Sequence, residues 1–276
     1  MISIDLAKRL GQIPSMGIKR EELLYTLLWA GEILLRPTFR NLTDSFEEWA
    51  YRNGLLRQLQ RLEKEQLLER PPGSPGDRLH RLTERGRLCA LGGRDPEAFW
   101  SRPWDGLWRL ALFDVPEVQS AVRDKLRAYL RGCGFGYLQN SVWITPHPVK
   151  HQRALLAGSK VDVGSLIFLE ARPCTGESDA EIVRGGWDFA AINHRYQRYR
   201  EVLASRPQIQ PGRVMKSLAM HGWLHAECES WFNAVRHDPL LPACLLPTDY
   251  AGRAAWRERQ LAVVEVGLQV RCCRDS

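Results

Sequence analysis

The segment that most restricts the fold of this chain runs from Gly134 to Pro148 and reads GFGYLQNSVWITPHP. Two short strand-like runs, FGYLQ and VWITP, flank the turn-favouring pair Asn140-Ser141, so the segment predicts a β-hairpin. The residues before it are spaced as in an amphipathic helix, and the glycines around Cys133 end that helix. The predicted apolar stripe of the helix consists of Val118, Val122, Leu126, Tyr129 and Cys133.

Strand-like runs before this helix and after the hairpin complete the predicted order of secondary-structure elements. GLWRLALFDVPE precedes the helix and DVGSLIFLEARP follows the hairpin, with a short helical segment, PVKHQRALLAG, before the last strand. The order strand, helix, strand, strand, helix, strand is that of a ferredoxin-like module. We therefore predict a ferredoxin-like domain over residues 104–175, in which the quoted segment is the central hairpin.

The first third of the chain predicts a DNA-binding module. Two helical patterns, KREELLYTLLWAGEIL and LLRQLQRLEKEQLLE, are followed by two strands joined through a turn rich in proline and glycine. Helices followed by a basic hairpin are typical of a winged helix-turn-helix, which we predict over residues 1–97. The segment LCALGGRDPEAFWSRPWDG, with its glycines and prolines, is interpreted as the linker to the next domain.

In such a module the second helix enters the major groove and the hairpin contacts phosphates. The candidate DNA-binding residues are Arg52, Asn53, Arg57, Arg61, Lys64, Arg78 and Arg81. The net charge of +7 is compatible with a polyanionic partner but does not require one. The alternative stays open, because a solvated basic helix face is common and Glu63 and Glu65 weaken its positive potential.

Residues 176–276 predict a helical domain with two main helices, which makes the whole chain α+β. The stripe of the first consists of Phe189, Ile192, Tyr196, Tyr199 and Leu203, and that of the second consists of Leu224, Cys228, Trp231 and Val235. His221, His225 and Cys228 follow one another at helical turns, but no further ligand motif completes a site, so we expect no metal.

Other features restrict the class of protein. No apolar run approaches the roughly 18 residues that span a bilayer, and the start of the chain has no signal-peptide core. Seven cysteines at irregular spacing favour reduced thiols, and with them a cytoplasmic location. The sequence contains neither a Walker loop nor a Gly-x-Ser-x-Gly motif, so we expect neither an enzyme nor a cofactor.

Three segments, WRLALFDVPE, RDKLRAYLRGCGFGYLQNSVWITPH and DPLLPACLLPTDYAGRAAW, resemble the PaaX-type transcriptional repressors of phenylacetate degradation. The resemblance implies an N-terminal winged helix, a ferredoxin-like middle domain similar to the small CRISPR-adaptation nuclease, and a helical C-terminal domain. It also implies a homodimer that binds double-stranded operator DNA and is released by an aryl-CoA thioester, typically phenylacetyl-CoA. With that ligand in view, the predicted effector-binding residues are Arg195, Tyr196, Arg198 and Tyr199, although core packing is the alternative for both tyrosines.

Two other functions stay open. In the CRISPR-adaptation relatives an aspartate at the end of the first strand pairs across a dimer to hold a divalent cation, and Asp114 occupies that place here. This similarity allows a metal-dependent nuclease, while the alternative for Asp114 is a turn residue that ends a strand. An adaptor that uses the same fold for protein contacts would neither bind specific DNA nor cleave it.

Overall fold

The structure is a computed structural model of the 276-residue chain. It describes residues 29, 33–35, 55–69, 78–116, 118, 120–149, 165–207 and 218–272. The chain divides into two compact units. Among the described residues, the first unit comprises 95–196 and 233–252, and the second comprises 29–94, 197–232 and 253–272.

In chain order the described strands are β1 Ile33–Leu35, β2 Leu68–Glu69, β3 Arg78–Leu82, β4 Trp108–Asp114, β5 Gly136–Gln139, β6 Val142–Thr145 and β7 Ser165–Ala171. The described helices are α1 Leu55–Lys64, α2 Glu84–Ala90, α3 Pro96–Trp100, α4 Ser120–Gly132, α5 Asp179–Gly186, α6 Phe189–Ala204, α7 Leu218–His237 and α8 Gly252–Cys272, with a 3-10 turn at Ala243–Leu245.

The first unit contains a four-stranded sheet with the order β5-β6-β4-β7, and every neighbouring pair in it is antiparallel. This order places the third strand of the module beside the first, as a ferredoxin-like fold requires. The predicted hairpin is confirmed, and Asn140 at its tip has a positive φ of 41°. The predicted helix PVKHQRALLAG lies mostly outside the described residues.

One face of this sheet carries the core that α4 covers. Leu126, Tyr129 and Leu130 of the helix pack against Ala111, Phe113 and Trp143 of the strands, and all six residues are buried. The predicted stripe is wrong at Val118, because this residue lies before the helix and is 92% exposed. Helix α4 begins at Ser120, after Pro116 and therefore later than the apolar spacing suggests.

The opposite face of the sheet carries apolar side chains that are not fully covered. Ile167 and Leu169 of β7 are 54% and 50% exposed, and in the register they stand opposite Leu112 and Leu110 of β4. Because side chains alternate between the faces of a strand, these four residues share one face. The described part of the chain therefore presents an apolar strip along β4 and β7.

The second unit contains a three-stranded antiparallel sheet with the order β1-β3-β2, and α1 immediately precedes β2 in the chain. The α1 residues Leu59 and Leu62, which lie three positions apart and so share one face of the helix, are buried. After α1 the chain reverses at Gln66, whose φ is 59°, and Leu67 enters the core.

The segment interpreted as a linker contains helix, in eight of its nineteen residues. Its first residues belong to α2, and Asp95-Pro96, interpreted as a turn, begins α3. The Asp95 side chain accepts hydrogen bonds from the backbone N–H groups of Glu97 and Ala98, and Pro96 occupies the first turn. An aspartate cap followed by proline is a helix start, because neither residue needs an intrahelical N–H partner there.

The last three helices differ in how well the sequence predicts them. Every residue of the α6 stripe is buried, so that prediction is confirmed. In α7 the buried stripe is rotated, because Trp223, Glu227 and Trp231 are buried while Leu224 and Cys228 are only partly covered. Helix α8 is a third long helix where two were expected. No described helix is long and apolar enough to cross a membrane.

Candidate functional site

The exposed face of α1 carries part of the predicted DNA-binding set. Arg61 and Lys64 are exposed, and the Nε atom of Arg61 lies 3.0 Å from an oxygen of Glu65 one turn later. Arg52 and Asn53 lie outside the described residues. Arg57 and Arg78 are placed on α1 and β3, but their side chains are not described.

The hairpin residue Arg81 is exposed and held by its neighbour in the sheet. Its Nε atom donates to Glu69 over 2.6 Å, across the register that pairs these residues. Such exposed ion pairs contribute little to stability, so either arginine can exchange its carboxylate for a phosphate at small cost. The second unit therefore has three exposed cations that are available to a polyanion: Arg61, Lys64 and Arg81.

The two tyrosines of the predicted effector site are in the core. Tyr196 and Tyr199 are both completely buried, and each hydroxyl donates to a buried carboxylate. Neither ring is exposed to solvent. Both tyrosines are core residues, as in the alternative of core packing. Arg195 is partly buried and donates to the carbonyl of Ala191, while Arg198 is exposed.

In the first unit, the buried carboxylate that accepts from Tyr196 belongs to Asp238, the first residue of the segment DPLLPACLLPTDY. It accepts hydrogen bonds from the hydroxyls of Tyr196 and Tyr250 and, over 2.8 Å, from the backbone N–H of Leu240. Burial and the nearby carboxylate raise the pKa of both tyrosines well above the ordinary value. The segment is also fixed to the hairpin, because His147 Nε2 donates to the carbonyl of Pro239 over 3.0 Å.

In the second unit the carboxylate is Glu227, which is paired with a buried guanidinium. Glu227 accepts from the Tyr199 hydroxyl at 2.8 Å, from Arg259 Nε at 3.1 Å and from Trp29 Nε1 at 3.1 Å. Arg259 is 1% exposed and lies over three indole rings, with 4.9 Å between its guanidinium carbon and the ring centre of Trp231. This cluster joins Trp29, which precedes α1, to α6, α7 and α8.

The first unit also contains an open cleft of about 980 Å³ between the end of α5 and the segment after Cys244. Its lining includes the buried side chains of Val183, Phe189 and Leu245, together with Trp187 and the backbone of Gly185 and Gly186. Four charged residues complete the lining: Asp179, Arg184, Asp188 and Asp249. The cleft is therefore apolar inside and carries an excess of negative charge.

Two family models match the chain, and both describe PaaX-type domains. The model of the PaaX protein central Cas2-like domain matches residues 101–183, and that of the PaaX-like protein C-terminal domain matches residues 187–262. The chain belongs to the PaaX-type family. Two of the segments that carry the sequence resemblance, the one that contains the hairpin and the one that begins DPLLP, are hydrogen bonded to each other through His147 and Pro239.

Among solved structures, the uncharacterized protein Rv0674 from Mycobacterium tuberculosis is similar to this PaaX-type chain, with 20% sequence identity and a TM-score of 0.50. The match covers 99% of this chain and 97% of that one, and it supports the fold alone. A search of curated proteins finds no significant match.

The nuclease alternative rests on Asp114, which is the exposed last residue of β4 and stands opposite Ser165 in the register. His225 is exposed and lies 3.7 Å from Glu229, whereas Cys228 is partly covered. Within the part of the chain that the structure describes, no group of three His, Cys, Asp or Glu residues could hold a metal ion.

Sequence reasoning missed the buried charges of this PaaX-type chain. Apolar spacing does not single out the buried Glu227, Asp238 and Arg259, because charged side chains are rarely buried. A signal was present for Glu227, since Trp223 and Trp231 lie four residues before and after it, and i, i+4 neighbours share a helix face. Asp238 had no comparable signal, because its partners come from α6 and from Tyr250.

Proposed function

We propose that this PaaX-type chain is a transcription regulator that binds double-stranded DNA as a homodimer and represses a catabolic operon. The observation that carries the proposal is the pair of PaaX domain matches, which together cover residues 101–183 and 187–262. The family resemblance supplies the winged helix-turn-helix and the operator as expectations for the remaining N-terminal residues.

The second unit supports the DNA-binding part. A helix followed by a β-hairpin, with a third strand beside β3, is the arrangement of elements in a winged helix. In this proposal α1 lies in the major groove, and Arg81 of the hairpin contacts phosphate. Arg61 and Lys64 lie away from the apolar face of α1 and are exposed, as residues that contact a DNA groove must be.

The apolar strip on β4 and β7 supports a homodimer. Ile167 and Leu169 are half exposed on a sheet whose other face is already covered by α4, and burial of such side chains against a second copy is favourable. Two copies would present two recognition helices to two half-sites, which gives the contact area that specific binding needs.

The effector we propose is an aryl-CoA thioester, as the family resemblance implies. Tyr196 and Tyr199 are buried, so we do not propose that the thioester stacks on their rings. Arg195 and Arg198 stay predictions as phosphate-binding residues, since guanidinium groups suit the phosphates of CoA.

Fluorescence anisotropy with labelled DNA from the promoter upstream of the gene tests the proposal, with EDTA present. We expect binding that weakens steeply with salt, and a double charge reversal, Arg61→Glu with Lys64→Glu, should lower the affinity at least about a hundredfold. Lys125→Glu with Arg172→Glu, a double reversal of exposed residues in the first unit, is the matched control and should change the affinity far less.

Release of the DNA by phenylacetyl-CoA, but not by CoA alone, would establish the effector. If the double reversal binds as the wild type does, the assignment of α1 as the recognition helix is wrong. If the protein binds no DNA and instead cleaves it once Mg²⁺ replaces EDTA, with loss of cleavage in Asp114→Ala, the nuclease alternative holds.

A further inference from the structure

The cleft of the first unit has the dimensions of a small-molecule site. Its volume of about 980 Å³ lies at the upper end of the range that ligand pockets usually occupy. Apolar and aromatic side chains form its interior, and a few charged groups complete it, which is the usual division between affinity and orientation in such pockets.

The walls of the cleft are fixed by hydrogen bonds before any ligand arrives. Helix α5 starts with a capping box in which Ser178 and Glu181 satisfy each other's backbone N–H groups. Asp188 caps α6 by accepting from the N–H of Ala191 at 2.9 Å. On the facing wall, the Asn193 side chain donates to the carbonyl of Asp249 and accepts from the N–H of Ala251. A preformed site of this kind spends little binding energy on ordering.

The indole of Trp187 is fixed as well. A Cβ at Gly136 would lie 2.7 Å from the Trp187 ring and from the carbonyl of Gly186, so only glycine permits this approach of β5 to the wall. The Trp187 ring centre also lies 6.1 Å from that of Trp108. Trp108 in turn donates from Nε1 to Asp179, another residue of the lining, over 2.8 Å.

Close packing of the described residues does not require glycine at position 185. A Cβ built there meets no atom within 4 Å, and its φ lies outside the left-handed region. Glycine is a weaker helix former than alanine, so the last turn of α5 gives up some stability at this position. The consequence is that the helix backbone, without a side chain, lines the open cleft.

The charges of the lining define the ligand. Among the described residues of the lining, the three carboxylates of Asp179, Asp188 and Asp249 stand against one guanidinium, that of Arg184. This excess attracts a cation and repels the several phosphate charges of a CoA nucleotide. Aromatic faces such as those of Trp187 and Phe189 suit an apolar body, and they also favour a nearby ammonium group.

We infer that this cleft is a binding site for a small amine with an aromatic or similarly apolar body, separate from any site for an acyl-CoA. The inference stands on the cleft itself and does not depend on the proposed DNA binding. A cationic ligand places its ring against the apolar interior and its ammonium group near the carboxylates.

Isothermal titration calorimetry of the full chain tests the inference with three probes of similar size: 2-phenylethylamine, 2-phenylethanol and phenylacetate. We expect saturable binding of the amine in the millimolar range or tighter, weaker binding of the alcohol, and binding of phenylacetate weaker than that of the amine by at least about tenfold. Equal affinity for amine and carboxylate would overturn the charge argument, and absence of amine binding would overturn the site.

Substitution of the exposed helix glycines locates the binding. Gly185→Leu adds a large side chain at a residue of the cleft lining and should weaken amine binding at least about tenfold, while Gly222→Leu, at an exposed glycine of α7 that also has open space around it, should leave binding unchanged. Thermal melting followed by circular dichroism shows that both variants are folded. Unchanged binding in folded Gly185→Leu would place the amine elsewhere and contradict the inference.

A charge variant separates attraction by the carboxylates from simple burial of the ring. Asp249→Asn removes one carboxylate but retains the backbone carbonyl that accepts from Asn193. It should lower the preference for the amine over the alcohol by a fewfold while the alcohol binds as before. An unchanged preference would contradict the role of the carboxylates.

Discussion

Each unit buries one carboxylate beneath a tyrosine of α6, but the two carboxylates are held differently. Glu227 of the second unit is paired with the guanidinium of Arg259, whereas the donors described for Asp238 in the first unit are two phenol hydroxyls and a backbone N–H. The first arrangement joins residues of α6, α7, α8 and the region before α1. The second fixes a short segment of chain.

The difference shows what each carboxylate stabilises. A buried ion pair is costly to break, because the remaining partner keeps its charge in a poorly solvated place. The donors that the structure describes for Asp238 are neutral, so changing this carboxylate takes an acceptor away from dipoles and leaves no charge behind among them. Glu227 should therefore determine the stability of its unit, while Asp238 should chiefly determine the conformation of the DPLLP segment.

The largest effect is expected for Glu227→Gln. The substitution leaves the Arg259 guanidinium without its carboxylate, and it turns the amide NH₂ toward one of the existing donors. We expect a loss of about 3–5 kcal/mol in the free energy of unfolding, measured by urea titration. The double variant Glu227→Leu with Arg259→Met should recover part of this loss, because both charges are then gone. A double variant no more stable than Glu227→Gln would contradict the charge explanation.

A smaller effect is expected for Asp238→Asn. One amide oxygen can still accept from the two tyrosine hydroxyls, but the NH₂ group then faces the N–H of Leu240, so one buried donor loses its acceptor. We expect a loss of about 2 kcal/mol in the same urea titration. A loss as large as that of Glu227→Gln would mean that the two sites do not differ as described.

The smallest effect, together with a pH dependence, is expected for Tyr250→Phe, at about 1 kcal/mol near neutral pH. Because the pKa of Tyr250 and Tyr196 is raised in the folded state, their contribution is complete below the ordinary tyrosine pKa of about 10 and is lost as the pH rises above it. The wild type should thus lose stability above about pH 10, and Tyr250→Phe should lose it less steeply. Melting temperatures measured across this range, with Tyr137→Phe as the exposed control, decide the point.

Apolar periodicity was enough to predict much of the fold. The hairpin around Asn140 and the stripe of α6 follow from local turn residues and apolar spacing, and the strand order of the sheet follows from the predicted order of elements, which is that of a ferredoxin-like module. The same reasoning failed for α8, where Arg259 stands on the buried face between Trp256 and Val266. A charged residue interrupts the apolar pattern unless its distant partner is known.

The candidate sites divide in the same way. The exposed cations Arg61, Lys64 and Arg81 could be predicted, because basic residues opposite an apolar stripe reach solvent. The cleft could not, since its two walls, residues 179–190 and 244–249, are far apart in the chain. Their approach depends on Asn193 and Asp238, whose partners no local pattern identifies.

The backbone of Leu240 has a consequence for how the first unit opens. Its φ of 51° is unfavourable for a residue with a branched side chain, and its N–H is bonded to the buried Asp238. This amide can exchange its hydrogen with solvent only after its hydrogen bond to the buried Asp238 carboxylate opens. Its exchange rate therefore measures the free energy of opening of the DPLLP segment, which lies just before the cleft wall that starts at Cys244, at a single residue and without any ligand.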